Sequence, residues 1–313
     1  MTGALRPDSL MRNDAVSQFD PATIADAQSA RTAGVLGVAL TIAVVTVILA
    51  TADRPSLAAI VAILPHQVPF FLVVIAFALL TPLSEWFIYR RLWSIPPSGI
   101  LALGRKFAAN EVLLGYIGDA QFYAWARQHI GDRSAPFGAI KDVAILSAIM
   151  GNVVTLGLLA ATAVLPGKHV IGFSPHALSV ALVVILASST VMLILRNHMF
   201  TLPRGDLLFI ACAQFCRVIA SLGLMIMMWH LALPELPLAT WVLLAALRML
   251  ISRFPLIANK DLLLAALALL TLGHVPQLVP MLLMMAGLLL LIHLLIGFAG
   301  AKGLMLSAKG YTQ

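Results

Sequence analysis

Charge is what this chain has least of: 11% of its 313 residues are Asp, Glu, Lys or Arg, against 61% that are hydrophobic. An ordinary soluble domain carries about 25% charged residues, so a water-soluble core cannot absorb this much apolar surface. Cysteine is nearly missing. The only two, Cys212 and Cys216, lie one helical turn apart in an apolar stretch, which argues against a secreted disulfide framework and predicts a pair of small buried residues. No glycine-rich phosphate loop ending in Lys-Ser or Lys-Thr occurs, so ATP-driven work by this chain alone is not expected. Of the eight histidines, His198, His230, His274 and His293 sit in different spans or at different span ends, with no repeated spacing and no Cys or carboxylate partner at ligand spacing, so neither a metal nor a haem cofactor is predicted.

What the chain does have is apolar length. A helix needs about 20 residues to cross a bilayer, and six stretches meet that: Thr32–Thr51, Val68–Ile88, Val143–Leu165, Ala177–Leu195, Leu207–Leu231 and Leu278–Phe298. The expected architecture is an all-α integral membrane unit over residues 31–301, with a disordered cytoplasmic tail at 1–30 and a short tail at 302–313. Residues 1–30 carry Arg6, Asp8, Arg12, Asp14, Asp20 and Asp26 but no apolar core with a cleavage site, unlike a signal peptide. Fourteen of the 20 basic residues, Arg90, Arg91, Arg196 and Arg204 among them, fall on one side of these spans, and two, Arg54 and Lys168, on the other. That bias puts both termini in the cytoplasm, most simply at a bacterial inner membrane. It also accounts for the net charge of +7 without nucleic acid. Trp86, Trp93, Trp125 and Trp241 are expected as interfacial anchors.

Two further regions are apolar enough to enter a membrane but too interrupted to cross it. Ser98–Arg127 is broken by Arg105, Lys106, Asn110, Glu111, Gly115, Gly118 and Asp119; Leu238–Ser252 and Leu262–Gly273 flank a polar knot of Arg253, Pro255, Asn259, Lys260 and Asp261. Each reads as a re-entrant helical hairpin. The alternatives are a surface-lying amphipathic pair for the first and two short tilted spans for the second. Two spans, a hairpin and a span, repeated from the opposite face, make an inverted repeat with halves 31–166 and 175–301. A shift of 142 positions places Lys106 on Arg248 and Asp119 on Asp261. Broken helices at corresponding positions of two halves are a pointer to a transporter with a binding site near the midplane.

The stretch from Glu85 to Arg127, with an aromatic and basic helix end, the turn Gly115-Tyr116-Ile117-Gly118-Asp119 and a helix closing at Arg127, resembles the transmembrane region of lysylphosphatidylglycerol synthases and their flippase-like relatives. Leu247–Gly273 is similar to the second hairpin of that family, with Asp119 and Asp261 where the family more often has Glu, and Asn259 and Lys260 in place of glycines. The resemblance implies a flippase-like, eight-segment protein that handles lipid or a lipid carrier. No aminoacyl-transferase domain follows the last span, so lysyl transfer is not implied.

The residues expected to bind substrate are Arg105, Lys106, Glu111, Asp119, Arg217, Arg248, Arg253, Lys260 and Asp261. Their excess of positive charge favours an anionic guest, a membrane lipid or a polyprenyl-phosphate type of lipid-linked substrate, because Arg binds phosphate in a bidentate way. Arg217, in the middle of a span, costs at least about 2.5 kcal/mol to bury and is expected to pair with a hairpin carboxylate or a bound headgroup. Two other readings stay open: an integral-membrane transferase with Glu111 or Asp119 as base, and a non-catalytic subunit of a membrane complex. Homo-oligomerisation is undecided by the sequence.

Overall fold

The computed structural model describes residues 63–112, 117–130, 136–164, 200–253, 260–272 and 277–310. Among these it is all helical: α1 Val68–Trp93, α2 Gly99–Val112, α3 Ile117–Ile130, α4 Pro136–Val164, α5 Arg204–Ala232, α6 Leu238–Ile251, α7 Lys260–Leu272 and α8 Leu278–Gly310. Four of them, α1, α4, α5 and α8, are long and apolar enough to cross a membrane. Four expected spans fall on these helices. The other two, Thr32–Thr51 and Ala177–Leu195, and the N-terminal tail lie outside the described residues. The two interrupted regions are helix–break–helix pairs, α2 with α3 and α6 with α7, each half being 13 or 14 residues long. The last helix runs past Ala301 to Gly310.

Proline and backbone geometry punctuate the elements. α1 ends where Ser94 takes a left-handed conformation (φ 52°) and returns its N–H to the Arg90 carbonyl, just ahead of Pro96 and Pro97. Pro203 and Pro237 sit at the N-caps of α5 and α6, where a missing N–H costs nothing. Pro82, inside α1, removes the N–H that would bond the Ala78 carbonyl.

Side-chain contacts fix the directions of the long helices. Arg91 in the last turn of α1 lies 3.7 Å from Asp206 in the first turn of α5; the Phe87 ring packs tilted against Phe209; Thr81 meets Arg217. Position falls along one helix as it rises along the other, so α1 and α5 are antiparallel. α4 and α5 start together. Buried Asp142 accepts bonds from the Thr201 N–H (2.7 Å), the Thr201 hydroxyl (3.0 Å) and the Leu202 N–H (2.9 Å), and Gly138 leaves room for Thr201, whose hydroxyl a Cβ would meet at 2.5 Å. α8 begins beside the C-terminal half of α5, where Leu282 and Met285 face Met225 and Trp229.

The largest core cluster joins α1, α5, α6, α7 and α8 around Phe70, Trp229, Trp241 and Leu244; a second joins α1 to α5 around Tyr89, Leu103 and Phe122. α2 lies against α8 through small residues: a Cβ on Gly104 would meet Ile296 at 2.8 Å, and one on Gly297 would meet Ala108 at 3.3 Å. Small residues let helix backbones approach where no water drives them together. The outer face of α1 carries Val68, Leu72, Ile75, Leu79, Leu83 and Phe87 exposed at helical spacing, an apolar stripe of the kind that faces lipid.

Two expectations are corrected. Cys212 and Cys216 are exposed, because the apolar face of a lipid-facing helix points outward and hydrophobicity alone does not mean burial. Trp125 and Trp241 are buried in the helix cores rather than placed as anchors at an interface.

Candidate functional site: a charged cavity at mid-helix depth

A cavity of about 380 Å³ is lined by residues from all eight described helices. It lies near the middle of the long ones. Thr81 is halfway along α1, Ser147 and Gly151 are near the middle of α4, and Arg217 is halfway along α5. The broken pairs supply the rest: Lys106, Asn110 and Glu111 from α2, Asp119 from α3, Arg248 and Arg253 from the end of α6 and Lys260 from the start of α7. Glu111, in the last turn of α2, and Lys260, the first residue of α7, are 3.6 Å apart, so the two breaks meet across the cavity.

Each broken pair is closed by an ion pair of the same sequence spacing. In the first, Lys106 Nζ reaches Asp119 Oδ1 at 2.9 Å; in the second, Arg248 Nε and Nη2 fork onto Asp261 at 2.5 and 3.1 Å. These are the residues that the 142-position shift superimposes. Lys106, 6% exposed, also donates to Glu85 of α1 at 2.7 Å and lies over the faces of Tyr89 and Phe122. Asn110 holds the break itself. Its carbonyl accepts the Gly118 N–H at 2.8 Å and its amide donates to Asp119 at 3.1 Å. Gly118 is required there, because a Cβ would overlap the Lys106 carbonyl oxygen.

Arg217 and Arg253 differ from the other cations. Arg217 donates from Nε to Gln214 (2.7 Å), from Nη2 to the Ser147 hydroxyl (2.9 Å) and from Nη1 to Thr81 (3.4 Å). Arg253 donates to the Met249 and Ala148 carbonyls, to Asn152 (3.1 Å) and to the Ser252 hydroxyl (3.1 Å). Among the described residues neither makes a salt bridge, although Glu85 lies within electrostatic reach of Arg217 and the two guanidiniums sense each other's charge. The neighbouring sequence offers no help, since no acidic residue occurs between Asp142 and Asp206 or between Glu235 and Asp261. The expected carboxylate partner of Arg217 is therefore replaced by neutral oxygens. Gly151 makes room for Arg253; a Cβ would come 2.6 Å from its Nη1.

Of the nine expected residues, seven line the cavity. Asp261 stands behind Arg248, beside a small apolar void with Met225 and Trp229. Arg105 is half-buried outside it, since adjacent helical positions point about 100° apart. Glu85, Thr81, Ser147, Asn110 and His293 were not expected there, nor was Gln214, which holds Arg217 from outside the lining. His293 lies edge-on to Phe107 at 4.9 Å with Nε2 unbonded among the described residues.

Comparison with family models, with curated proteins and with solved structures returns no match, so the chemistry is read from this geometry alone.

Proposed function

We propose that the chain is a flippase-like transporter of an anionic lipid, or of a lipid-linked substrate of the polyprenyl-phosphate type, in a bacterial inner membrane with both termini cytoplasmic. In this reading α2–α3 and α6–α7 are re-entrant hairpins entering from opposite faces, and with Thr32–Thr51 and Ala177–Leu195 as further crossings the protein has six spans and an inverted repeat. The antiparallel course of α1 and α5, the matched ion pairs Lys106–Asp119 and Arg248–Asp261, and the meeting of the two breaks support it. The likeness to the transmembrane region of lysylphosphatidylglycerol synthases points the same way.

The observation that carries the proposal is the cavity at mid-helix depth with two guanidiniums bonded only to neutral oxygens. Burying a cation there is costly, and an anionic headgroup offsets the cost. A volume of about 380 Å³ suits a headgroup; the acyl or prenyl chains would remain in the bilayer. Hairpin tips facing each other at a pseudo-symmetric centre are the elements that alternating access moves. The transferase alternative is weakened by its own acids: Glu111 and Asp119 are each engaged in an ion pair, with Lys260 and Lys106.

The test is transbilayer movement of a fluorescent anionic phospholipid in proteoliposomes, read by a membrane-impermeant quencher. Wild type is expected to expose inner-leaflet probe faster than protein-free vesicles, with Arg217→Gln at least about ten times slower, the loss of one charge-assisted contact. Movement no faster than in protein-free vesicles, for lipid and for a polyprenyl-phosphate probe alike, overturns the transport reading.

A further inference from the structure

Resting on the proposed site but going beyond it, we infer that Arg217 and Arg253 form a clamp for a singly charged phosphodiester, in preference to a doubly charged phosphomonoester, which narrows the proposed substrates to diesters and excludes a free polyprenyl phosphate. Charge balance selects the valence. Lys106, Arg217, Arg248, Arg253 and Lys260 bring five positive charges to the cavity wall; Glu85, Glu111 and Asp119 on the wall and Asp261, paired to Arg248 from behind it, bring four negative ones. With His293 neutral, one positive charge is left over. A monoanion makes the buried hollow neutral; a dianion leaves an excess negative charge, which a low-dielectric interior penalises.

Donor geometry selects the group. A guanidinium offers five N–H donors. The bonds of Arg217 to Gln214, Thr81 and Ser147 use three of them, and those of Arg253 to Met249, Ala148, Asn152 and Ser252 use four. Two N–H groups on Arg217 and one on Arg253 remain for a guest. Three donors match the two unesterified oxygens of a phosphodiester, one of them bridged, and the hydroxyls of Ser147 and Ser252 border the same space. Three of the other cations already meet their charge at Asp119 and Glu85, at Asp261 and at Glu111, so the guest is drawn to the two arginines. The phosphodiester could belong to a lipid headgroup or to a soluble ester; the chemistry recognised is the same.

The experiment is a ligand titration of the full-length protein in detergent, followed by native mass spectrometry and by thermal shift. The probes are phosphatidylglycerol as a diester lipid, phosphatidic acid as its monoester counterpart, and dimethyl phosphate as a soluble diester. Work at about pH 8.5 lies above a monoester's second pKa of about 6. Phosphatidylglycerol is expected to bind at least about ten times more tightly than phosphatidic acid, and Arg217→Gln and Arg253→Gln each to lose about tenfold. Arg217→Lys and Arg253→Lys, which keep the charge and lose the fork, are expected to lose binding as well. A phosphatidylglycerol affinity more than about a hundred times that of dimethyl phosphate assigns the diester to a lipid; a smaller ratio, with dimethyl phosphate raising the melting temperature, assigns it to a soluble ester. Equal or tighter binding of phosphatidic acid overturns the monoanion assignment, and wild-type affinity in both Lys variants overturns the clamp. Diester binding without lipid movement in proteoliposomes removes the transport reading and leaves the clamp. Lipid movement with unaltered binding in the Gln variants does the reverse.

Discussion

The two broken helix pairs are built on one plan and balanced differently. In α2–α3 a lysine thirteen residues ahead of an aspartate closes the break; in α6–α7 an arginine does the same at the same spacing. The first pair gives its cation a second acid, Glu85 of α1, and sets it against two aromatic faces. The second gives its cation a salt bridge to one acid only, with Glu111 in longer electrostatic reach, and adds Arg253 five residues on, where the first pair has Glu111. The first pair is therefore an over-compensated electrostatic knot, while the second leaves surplus positive charge facing the cavity that both line. Similar backbones thus divide two tasks, one holding the bundle together and the other presenting charge to the cavity.

The sharpest way to break the comparison is to remove each cation. Lys106→Met strands two partly buried carboxylates and is expected to cost about 3 kcal/mol, the low end of the range for breaking a buried pair; Arg248→Met strands only Asp261 and should cost less. Chemical unfolding in mixed micelles measures both, and equal losses would show that Glu85 adds nothing. Removing the acids should invert the order. Asp261→Asn leaves Arg248 without a directly bonded carboxylate and should cost roughly 3 kcal/mol, whereas Asp119→Asn leaves Lys106 bound to Glu85 and should cost about 1 kcal/mol. A larger loss from Asp119→Asn contradicts the picture of a shared lysine.

The glycines give the smallest and most selective contrast. Gly118→Ala drives a Cβ into the Lys106 carbonyl, a backbone atom that cannot swing away, and should destabilise by about 1–3 kcal/mol. Gly151→Ala meets only the end of the Arg253 side chain, which can move, so stability should change by less than about 1 kcal/mol while lipid movement in proteoliposomes falls. A Gly151→Ala protein that transports like wild type would show that the position of Arg253 is immaterial.

Much of this was legible in the sequence because hydropathy is a length signal. Runs such as Leu207–Leu231 and the interruptions at Asn110–Asp119 and Arg253–Asp261 mark long and broken helices whatever their neighbours, and the helices fall close to those limits. Charge in apolar surroundings is equally conspicuous, which is why seven expected residues share one cavity. Lateral direction is not encoded that way. Arg105 and Lys106 look alike in sequence, yet a single residue step of about 100° around the helix sends only Lys106 inward. Thr81, Ser147 and Gln214 are uncharged and pass for background in apolar helices, although their contacts with Arg217 define its geometry. Glu85 belonged to an aromatic and basic helix end; its i, i+4 relation to Thr81 is the signal that could have placed it on the inner face.

The two thiols of α5 have a practical use. Cys212 and Cys216 are exposed one turn apart, and neither lines the cavity. A bifunctional spin label bridging such a pair is held rigidly to the backbone, so the native chain carries its own handle for reading the tilt of α5 during turnover, with no residue replaced.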